Sequence, residues 1–275
     1  MNSCSAESAR HPRLLQLALI TISAFVACAC LVVAPTAKAS AVDAERTLLP
    51  VVAGTELDFP HSYCTAGLIV VRTGIRGNFS PAARATRYAV TAKHCGEMNS
   101  PVSVGGRRVG EVVWIDPVAD LELVRIDPVV HGQPFCAPSS SGFHCSPVTY
   151  EPQATGQVLL ATLRYQSLRR TPVAGTGAPA SDEVFCISGK SSGQSCLFRS
   201  TRWISGYGEQ KPGEVAAIGD TLVFPGDSGG PVLSPQARIY GIIAETATGS
   251  LHTVLKYTRI SQFFEDAGNY ALAPA

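Results

Sequence analysis

Charge is scarce in this sequence of 275 residues, and metal-binding patterns are missing. Only 16% of the residues are charged, and the formal net charge is +1. Without a long basic run, neither nucleic acid nor an anionic membrane surface is indicated as a partner. No Cys-x-x-Cys occurs, and none of the 6 histidines stands at a metal-ligand spacing. We therefore expect no bound metal.

Helical patterning is also scarce, and short apolar runs rich in Val, Ile, Leu, Thr and Tyr dominate instead. The 25 glycines and 19 prolines separate these runs, which predicts an all-β barrel or sandwich. The predicted strands cover residues 66–72, 87–91, 110–115, 121–126, 157–163, 197–204, 239–244 and 253–258. Only 260–267 is predicted helical, with apolar residues at i, i+3 and i+4. The Pro/Gly/Ala-rich stretch 171–181 is predicted to be a surface loop.

The N-terminal residues 1–39 are predicted to be a signal peptide. Arg10 and Arg13 precede a largely apolar run over 14–34, and Ala37-Lys-Ala fits a small-x-small cleavage site. The alternative is a retained membrane anchor, because the run of 21 residues is long enough to span a bilayer. Cleavage would give a secreted, extracellular protein without further membrane contact.

We expect a short N-terminal or pro segment over residues 40–58 and one catalytic domain over 59–275. Removal of the signal peptide leaves six of the 9 cysteines. An even number of cysteines in an exported protein favours disulfides over metal sites or free thiols.

The most specific stretch of the sequence is Gly226-Asp-Ser-Gly-Gly-Pro231, with Ser228 at its centre. Gly226 and Gly229 permit backbone conformations closed to other residues. Such a turn can direct N–H groups at a developing oxyanion beside the Ser228 hydroxyl. The alternative is a glycine-rich turn with an incidental serine. A nucleophilic serine needs a base and a group that orients the base.

Two further stretches supply candidates for these roles. His94 follows the apolar stretch 89–91 and precedes a cysteine, and a disulfide there would fix its backbone. Asp120 opens the predicted strand 121–126, so its carboxylate can lie buried at a strand end. Asp116 and Asp127 are rivals, but each precedes a proline, which is typical of an exposed turn.

These stretches together resemble the trypsin/chymotrypsin-like serine proteases. Thr91-Ala-Lys-His-Cys95 is similar to the family's histidine motif, 120–124 to its aspartate strand, and 226–231 to its serine motif. Tyr257-Thr-Arg-Ile260 resembles the family's closing motif. The disulfide loop over 186–196 is similar to that of the secreted bacterial branch, the streptogrisin and α-lytic protease type.

The resemblance implies two six-stranded antiparallel β-barrels, a cleft between them that holds the site, and a short C-terminal helix. It implies His94, Asp120 and Ser228 as a catalytic triad and the N–H groups of Gly226 and Ser228 as an oxyanion hole. The expected activity is a serine endopeptidase, a monomer that acts on proteins or peptides without a cofactor. The alternative is a catalytically decayed protease fold used for binding or adhesion.

The resemblance also implies disulfides Cys64–Cys95 and Cys186–Cys196. The remaining two cysteines, Cys136 and Cys145, are paired only because they lie close in the sequence.

Two departures concern Asp227, the acid before the serine. Residue 187 is Ile where the bacterial branch commonly has the arginine that pairs with this acid. Val51-Val-Ala-Gly54 is faintly similar to the mature N-terminus of the animal enzymes, whose freed amine would serve Asp227, but Pro50 precedes it. The sequence therefore leaves the partner of Asp227 open.

The expected specificity pocket contains Leu222, Thr246 and Leu255, by analogy with the walls of the family's primary pocket. None of the three is charged, and Thr246 and Leu255 would fill the space that an aromatic ring needs. We therefore expect cleavage after small or medium apolar residues. The acid Glu245, beside the pocket mouth, favours the opposite expectation of a basic substrate.

Overall fold

A computed structural model describes residues 44–133, 135–140, 142–161, 168–204, 206, 208–248 and 253–275. The expected signal peptide lies outside the described residues. Within these ranges, no helix is long and apolar enough to cross a membrane.

Strands dominate the described chain, and three short helices interrupt them. The strands are β1 (Val51–Ala53), β2 (Glu56–Asp58), β3 (Tyr63–Thr65), β4 (Leu68–Arg72), β5 (Arg87–Thr91), β6 (Pro101–Val104), β7 (Arg107–Ile115), β8 (Glu122–Ile126), β9 (Val129–His131), β10 (Phe135–Ser139), β11 (Gly142–Ser146), β12 (Thr149–Glu151), β13 (Ala154–Ala161), β14 (Leu168–Pro172), β15 (Gly175–Thr176), β16 (Val184–Gly189), β17 (Gly193–Thr201), β18 (Glu214–Gly219), β19 (Pro231–Leu233), β20 (Arg238–Thr248), β21 (Thr253–Arg259) and β22 (Tyr270–Leu272). The helices are α1 (Gly74–Asn78), α2 (Pro81–Ala85) and α3 (Ile260–Ala267).

Seven strands of the N-terminal half and β22 from the C-terminal end form an eight-stranded sheet in the order β22-β4-β5-β8-β7-β6-β2-β3. Its inner face packs an apolar cluster that includes Leu57, Ile69, Val112 and Val124, all fully or almost fully buried. Because side chains alternate between the two faces of a strand, β8 contributes Val124 and Ile126 to this cluster.

The C-terminal half closes into a six-stranded barrel. Strands β20, β19, β16, β17, β18 and β21 follow one another, and β20 also pairs with β21, which completes the ring. Phe185, Ile187, Phe198 and Leu255 fill its interior. Closure leaves none of these six strands with an unpaired long edge.

A third, smaller sheet joins β1 to β13 in parallel and β13 to β14 antiparallel. Val51, Val52 and Ala53 are each 0% exposed, and β2 is part of the eight-stranded sheet. Residues 51–58 of the expected N-terminal segment therefore belong to the packed fold.

The all-β prediction and the C-terminal helix are confirmed, and α3 covers the predicted residues 260–267. The prediction of almost no other helix missed α1 and α2. Ser80 caps α2 by accepting a hydrogen bond from the amide of Ala83 at 3.1 Å, and Pro81 occupies the first turn. This Ser-Pro pair is a helix-start signal that sequence reasoning passed over. The predicted loop 171–181 also contains the end of β14 and the short β15.

Candidate active site

His94 is held in a single 3₁₀ turn, Lys93–Cys95, immediately after β5. The disulfide Cys64–Cys95 ties this turn to β3. The hydroxyl of Thr91, at the end of β5, donates to the carbonyl of Thr65 at 2.9 Å and adds a second tie. The backbone that carries the imidazole is therefore fixed on both sides.

Asp120 lies at the open end of β8 and is 5% exposed. Its Oδ2 lies 2.9 Å from Nδ1 of His94, and its Oδ1 accepts a hydrogen bond from the His94 backbone N–H at 3.2 Å. Both carboxylate oxygens are thus committed to one residue. Since the bond at Nδ1 fixes the ring, Nε2 of His94 is left to face a nucleophile.

The two rival acids have other roles. Asp116 is 1% exposed rather than exposed as expected, because its Oδ1 accepts hydrogen bonds from the amides of Val118 and Ala119 at 2.8 and 2.7 Å. It thereby shapes the loop that presents Asp120. Asp127 bonds Nε of Arg125 at 2.8 Å.

Ser228 sits on a turn that is bonded to both halves of the molecule. Its carbonyl accepts a hydrogen bond from the amide of Thr65 in β3 at 2.8 Å. The next amide, of Gly229, donates to the carbonyl of Ile243 in β20 at 2.8 Å. The serine is therefore placed at the junction of the eight-stranded sheet and the barrel.

The glycines of this turn are required by its conformation. Gly226 has φ +101° and Gly229 has φ +82°, both in the left-handed region that favours glycine. A side chain at Gly229 would also collide with the Thr91 hydroxyl. Among the described residues, the N–H groups of Gly226 and Ser228 donate no hydrogen bond within the protein. These are the two amides that the sequence analysis assigned to the oxyanion hole.

Asp227 is fully buried, and its carboxylate takes its hydrogen bonds from neutral groups. Oδ1 accepts from the amides of Ser191 and Ser192 at 2.7 and 3.0 Å, and Oδ2 accepts from the amide of Phe224 at 3.0 Å. The hydroxyl of Ser192 also donates to Oδ2. The loop closed by Cys186–Cys196 therefore supplies hydrogen-bond donors to Asp227, in place of the arginine that is missing at position 187.

A further buried acid, Glu122, is the first residue of β8, two positions after Asp120. It is 0% exposed, and neither carboxyl oxygen has a hydrogen-bond partner among the described residues. Burial raises the pKa of Glu122 to about 9, and the charge of Asp120 adds to the rise. Glu122 is therefore protonated at neutral pH.

The structure contains the disulfides Cys64–Cys95, Cys136–Cys145 and Cys186–Cys196, which are the three expected pairs. Cys136 and Cys145 face each other across the hairpin of β10 and β11. Ligand-type atoms of Cys64, His94 and Cys95 lie close together. Because the two sulfurs are bonded to each other, they are not thiolates that could hold a metal.

A cleft of about 430 Å³ contains His94, Asp120 and Ser228. Of the three expected pocket residues, only Thr246 lines it. Leu255 is 0% exposed inside the barrel, and Leu222 is 56% exposed. Leu255 belongs to the apolar core of the barrel, and Val223 rather than its neighbour Leu222 lines the cleft.

Glu214, the first residue of β18, lines the same cleft and was missed by sequence reasoning. It is 4% exposed. The available signal was an acid directly before the apolar run Val215–Ile218, the same pattern that pointed to Asp120 at the start of β8.

No family model matches the sequence, and no curated protein matches it. Several solved structures, however, match the fold of this chain. The protease A of Thermobifida fusca shares 20% identity with a TM-score of 0.55, and covers 82% of this chain and 99% of its own. Nocardiopsis protease shares 19% identity with a TM-score of 0.56, over 81% and 98% of the two chains. Cellulomonas bogoriensis chymotrypsin shares 16% identity with a TM-score of 0.51, over 82% and 99%.

The fold is therefore that of the trypsin-like serine proteases. More narrowly, these three matched structures are bacterial enzymes, in agreement with the bacterial branch that the motifs resemble. At identities of 20% or below, this likeness concerns the fold, and function has to be argued from the site itself.

Proposed function

We propose that this protein is a serine endopeptidase with His94, Asp120 and Ser228 as its catalytic triad. One observation carries the proposal: Nδ1 of His94 lies 2.9 Å from Oδ2 of a buried Asp120, and Ser228 lines the same cleft as both. The free amides of Gly226 and Ser228 on the serine's turn support it.

In the proposed mechanism, Oγ of Ser228 attacks the scissile carbonyl while Nε2 of His94 accepts its proton. The carboxylate of Asp120 holds the imidazole by Nδ1 and stabilises the imidazolium that forms. The amides of Gly226 and Ser228 donate to the oxyanion of the tetrahedral intermediate, each contributing about 3 kcal/mol. His94 then gives the proton to the leaving amine, and water hydrolyses the acyl-enzyme by the same route.

The proposal extends to a secreted, monomeric enzyme that acts on proteins or peptides. Three disulfides support an oxidising compartment. A fluorophosphonate-labelled protein recovered from the culture medium with Ser40 at its N-terminus would agree with cleavage after Ala39. Retention in the membrane fraction with the N-terminus intact would refute secretion.

The decisive experiment compares wild type with Ser228→Ala for fluorophosphonate labelling and peptide hydrolysis. We expect wild type to be labelled and to cleave, and Ser228→Ala to lose both, with kcat lower by roughly 10⁶. Ser200→Ala, at an exposed serine of β17, is the matched control and should retain both activities. An unlabelled, inactive wild type would instead favour a decayed protease fold used for binding.

A further inference from the structure

The cleft that contains Ser228 carries more negative than positive charge. Its lining includes the acids Asp120, Glu214 and Glu245 and, among lysines and arginines, only Lys211 within the described residues. Asp120 is committed to His94. The charge available to a substrate therefore comes from the other two acids.

Glu245 is already neutralised and lies in solvent. Its side chain is 66% exposed and bonds Nζ of Lys256 at 2.7 Å. Lys256 in turn lies over the ring of Trp203, with 5.4 Å between Nζ and the ring centroid. An exposed and paired carboxylate contributes little to selecting a substrate charge.

Glu214 differs from Glu245 in both respects. It is 4% exposed, and within the described residues no lysine, arginine or histidine comes within 4.0 Å of its carboxylate. Among the described residues, its carboxylate accepts one hydrogen bond, from the backbone N–H of Lys211 to Oε2 at 2.8 Å. A carboxylate so buried is costly unless a cation pairs with it.

The rest of the cleft suits a long side chain with a charged end. Val223, Ile243 and Ala244 line it and are at most 6% exposed, which makes an apolar wall. Lysine and arginine bury their aliphatic stems along such a wall and place the charge at the end. Val223 directly follows Leu222, and Ala244 lies two residues before Thr246. The wall is therefore close to two of the residues expected to line the pocket for the residue before the scissile bond.

Resting on the proposed endopeptidase function, we propose that Glu214 is the specificity-determining residue of the cleft and receives a lysine or arginine side chain of the substrate. The preferred substrate is then a protein cleaved after a basic residue. This replaces the expected preference for small apolar residues, which relied on Leu222, Thr246 and Leu255, of which only Thr246 lines the cleft. Lys211 is exposed, so water screens its opposing charge more than that of the buried acid.

The test uses matched peptides that differ only before the scissile bond, with Lys, Arg, norleucine or Ala at that position. For wild type, kcat/KM for Lys or Arg should exceed that for norleucine by tenfold or more. Glu214→Gln keeps an acceptor oxygen for the Lys211 amide and removes the charge. It should lower kcat/KM on the Lys peptide by roughly 100-fold and change the norleucine peptide less than threefold.

Glu209→Gln removes an exposed acid that does not line this cleft, and both peptides should be cleaved as by wild type. Wild type that prefers norleucine or Ala would overturn the inference. So would a Glu214→Gln variant that loses activity on both peptides equally, since that result indicates only a structural role in the turn before β18.

A binding measurement separates this inference from the proposed function. Titration with n-butylguanidinium, a mimic of the arginine side chain, should show binding to wild type and at least tenfold weaker binding to Glu214→Gln. Labelling by fluorophosphonate without such binding refutes the Glu214 inference alone. Binding without labelling or cleavage refutes the endopeptidase while retaining the cation site.

Discussion

Glu122→Gln should remove a specific loss of stability that the wild-type protein suffers as the pH rises. The folded-state pKa of Glu122 is about 9, against an ordinary value of 4.5 in the unfolded chain. Below pH 4.5 the acid is protonated in both states and costs nothing. Between the two values only the unfolded state is ionised, so the unfolded state binds fewer protons and stability falls as pH rises. Above about pH 9 both states are ionised, and the loss is complete.

The magnitude follows from the distance between the two pKa values. Each pH unit within the window corresponds to about 1.4 kcal/mol of unfolding free energy. From pH 5 to pH 8 the wild type should therefore lose about 4 kcal/mol relative to Glu122→Gln. A glutamine has the same shape and no charge at any pH. All other titrating groups are shared, so their effects cancel in the difference between the two proteins.

The assay is guanidinium unfolding of both proteins, with disulfides intact, at pH 5, 6.5 and 8. Glu97→Gln is the matched control, because Glu97 is an exposed acid two residues after the turn that carries His94. Its stability should follow the wild-type curve at every pH. If Glu122→Gln and wild type stay parallel over this range, the buried acid is not protonated in the folded state and the reasoning fails.

Two further predictions concern the elements that hold the site. The double variant Cys64→Ala/Cys95→Ala opens a loop with a sequence separation of 31, which should lower the unfolding free energy by about 3.5 kcal/mol. It should also lower kcat/KM, because the disulfide holds the turn that carries His94. Unchanged activity in the folded variant would contradict this. Gly229→Ala should be at least 2 kcal/mol less stable than Gly106→Ala: both glycines have positive φ, but only the new methyl at 229 collides with Thr91, while that at 106 meets open space. Equal losses in chemical unfolding would show that the turn relaxes freely.

The two candidate residues that the structure brings together, His94 and Asp120, were nominated from local patterns. His94 and Asp120 stand at the ends of apolar strands, and the change from apolar to polar residues at those ends is visible over a few positions. Helix α3 was visible for the same reason, since Ile260, Phe263 and Phe264 repeat at helical spacing and bury Ile260 and Phe263. Patterns of this kind are read within one segment.

Glu214 and the pocket walls depend on pairings that no single segment encodes. Glu214 is placed by the register of β18 on β21, where it lies opposite Thr258, 44 positions along the chain. Leu255 pairs with Ala217 of β18 and Thr246 of β20 at once, and its side chain packs in the barrel core. A shift of one residue in either ladder would exchange the inward and outward faces, so the wall could not be assigned from spacing alone.

In this chain, neutral hydrogen-bond donors take the place of a charged partner for Asp227. An acid fixed by a freed N-terminal amine requires cleavage before Val51, yet Asp227 already takes its hydrogen bonds from Ser191, Ser192 and Phe224. The segment before Val51 is also packed into the fold.

Arg46, in that segment, is 1% exposed, donates to the carbonyl of Gly54 at 2.8 Å and contacts the hydroxyl of Ser188 at 3.2 Å. Ser188 lies in β16, which leads into the loop that holds Asp227. Cleavage after Pro50 would therefore free a buried arginine beside that loop instead of supplying Asp227 with a partner. The serine turn is thus formed in the uncut chain, because neutral amides of a disulfide-closed loop hold the acid that anchors it.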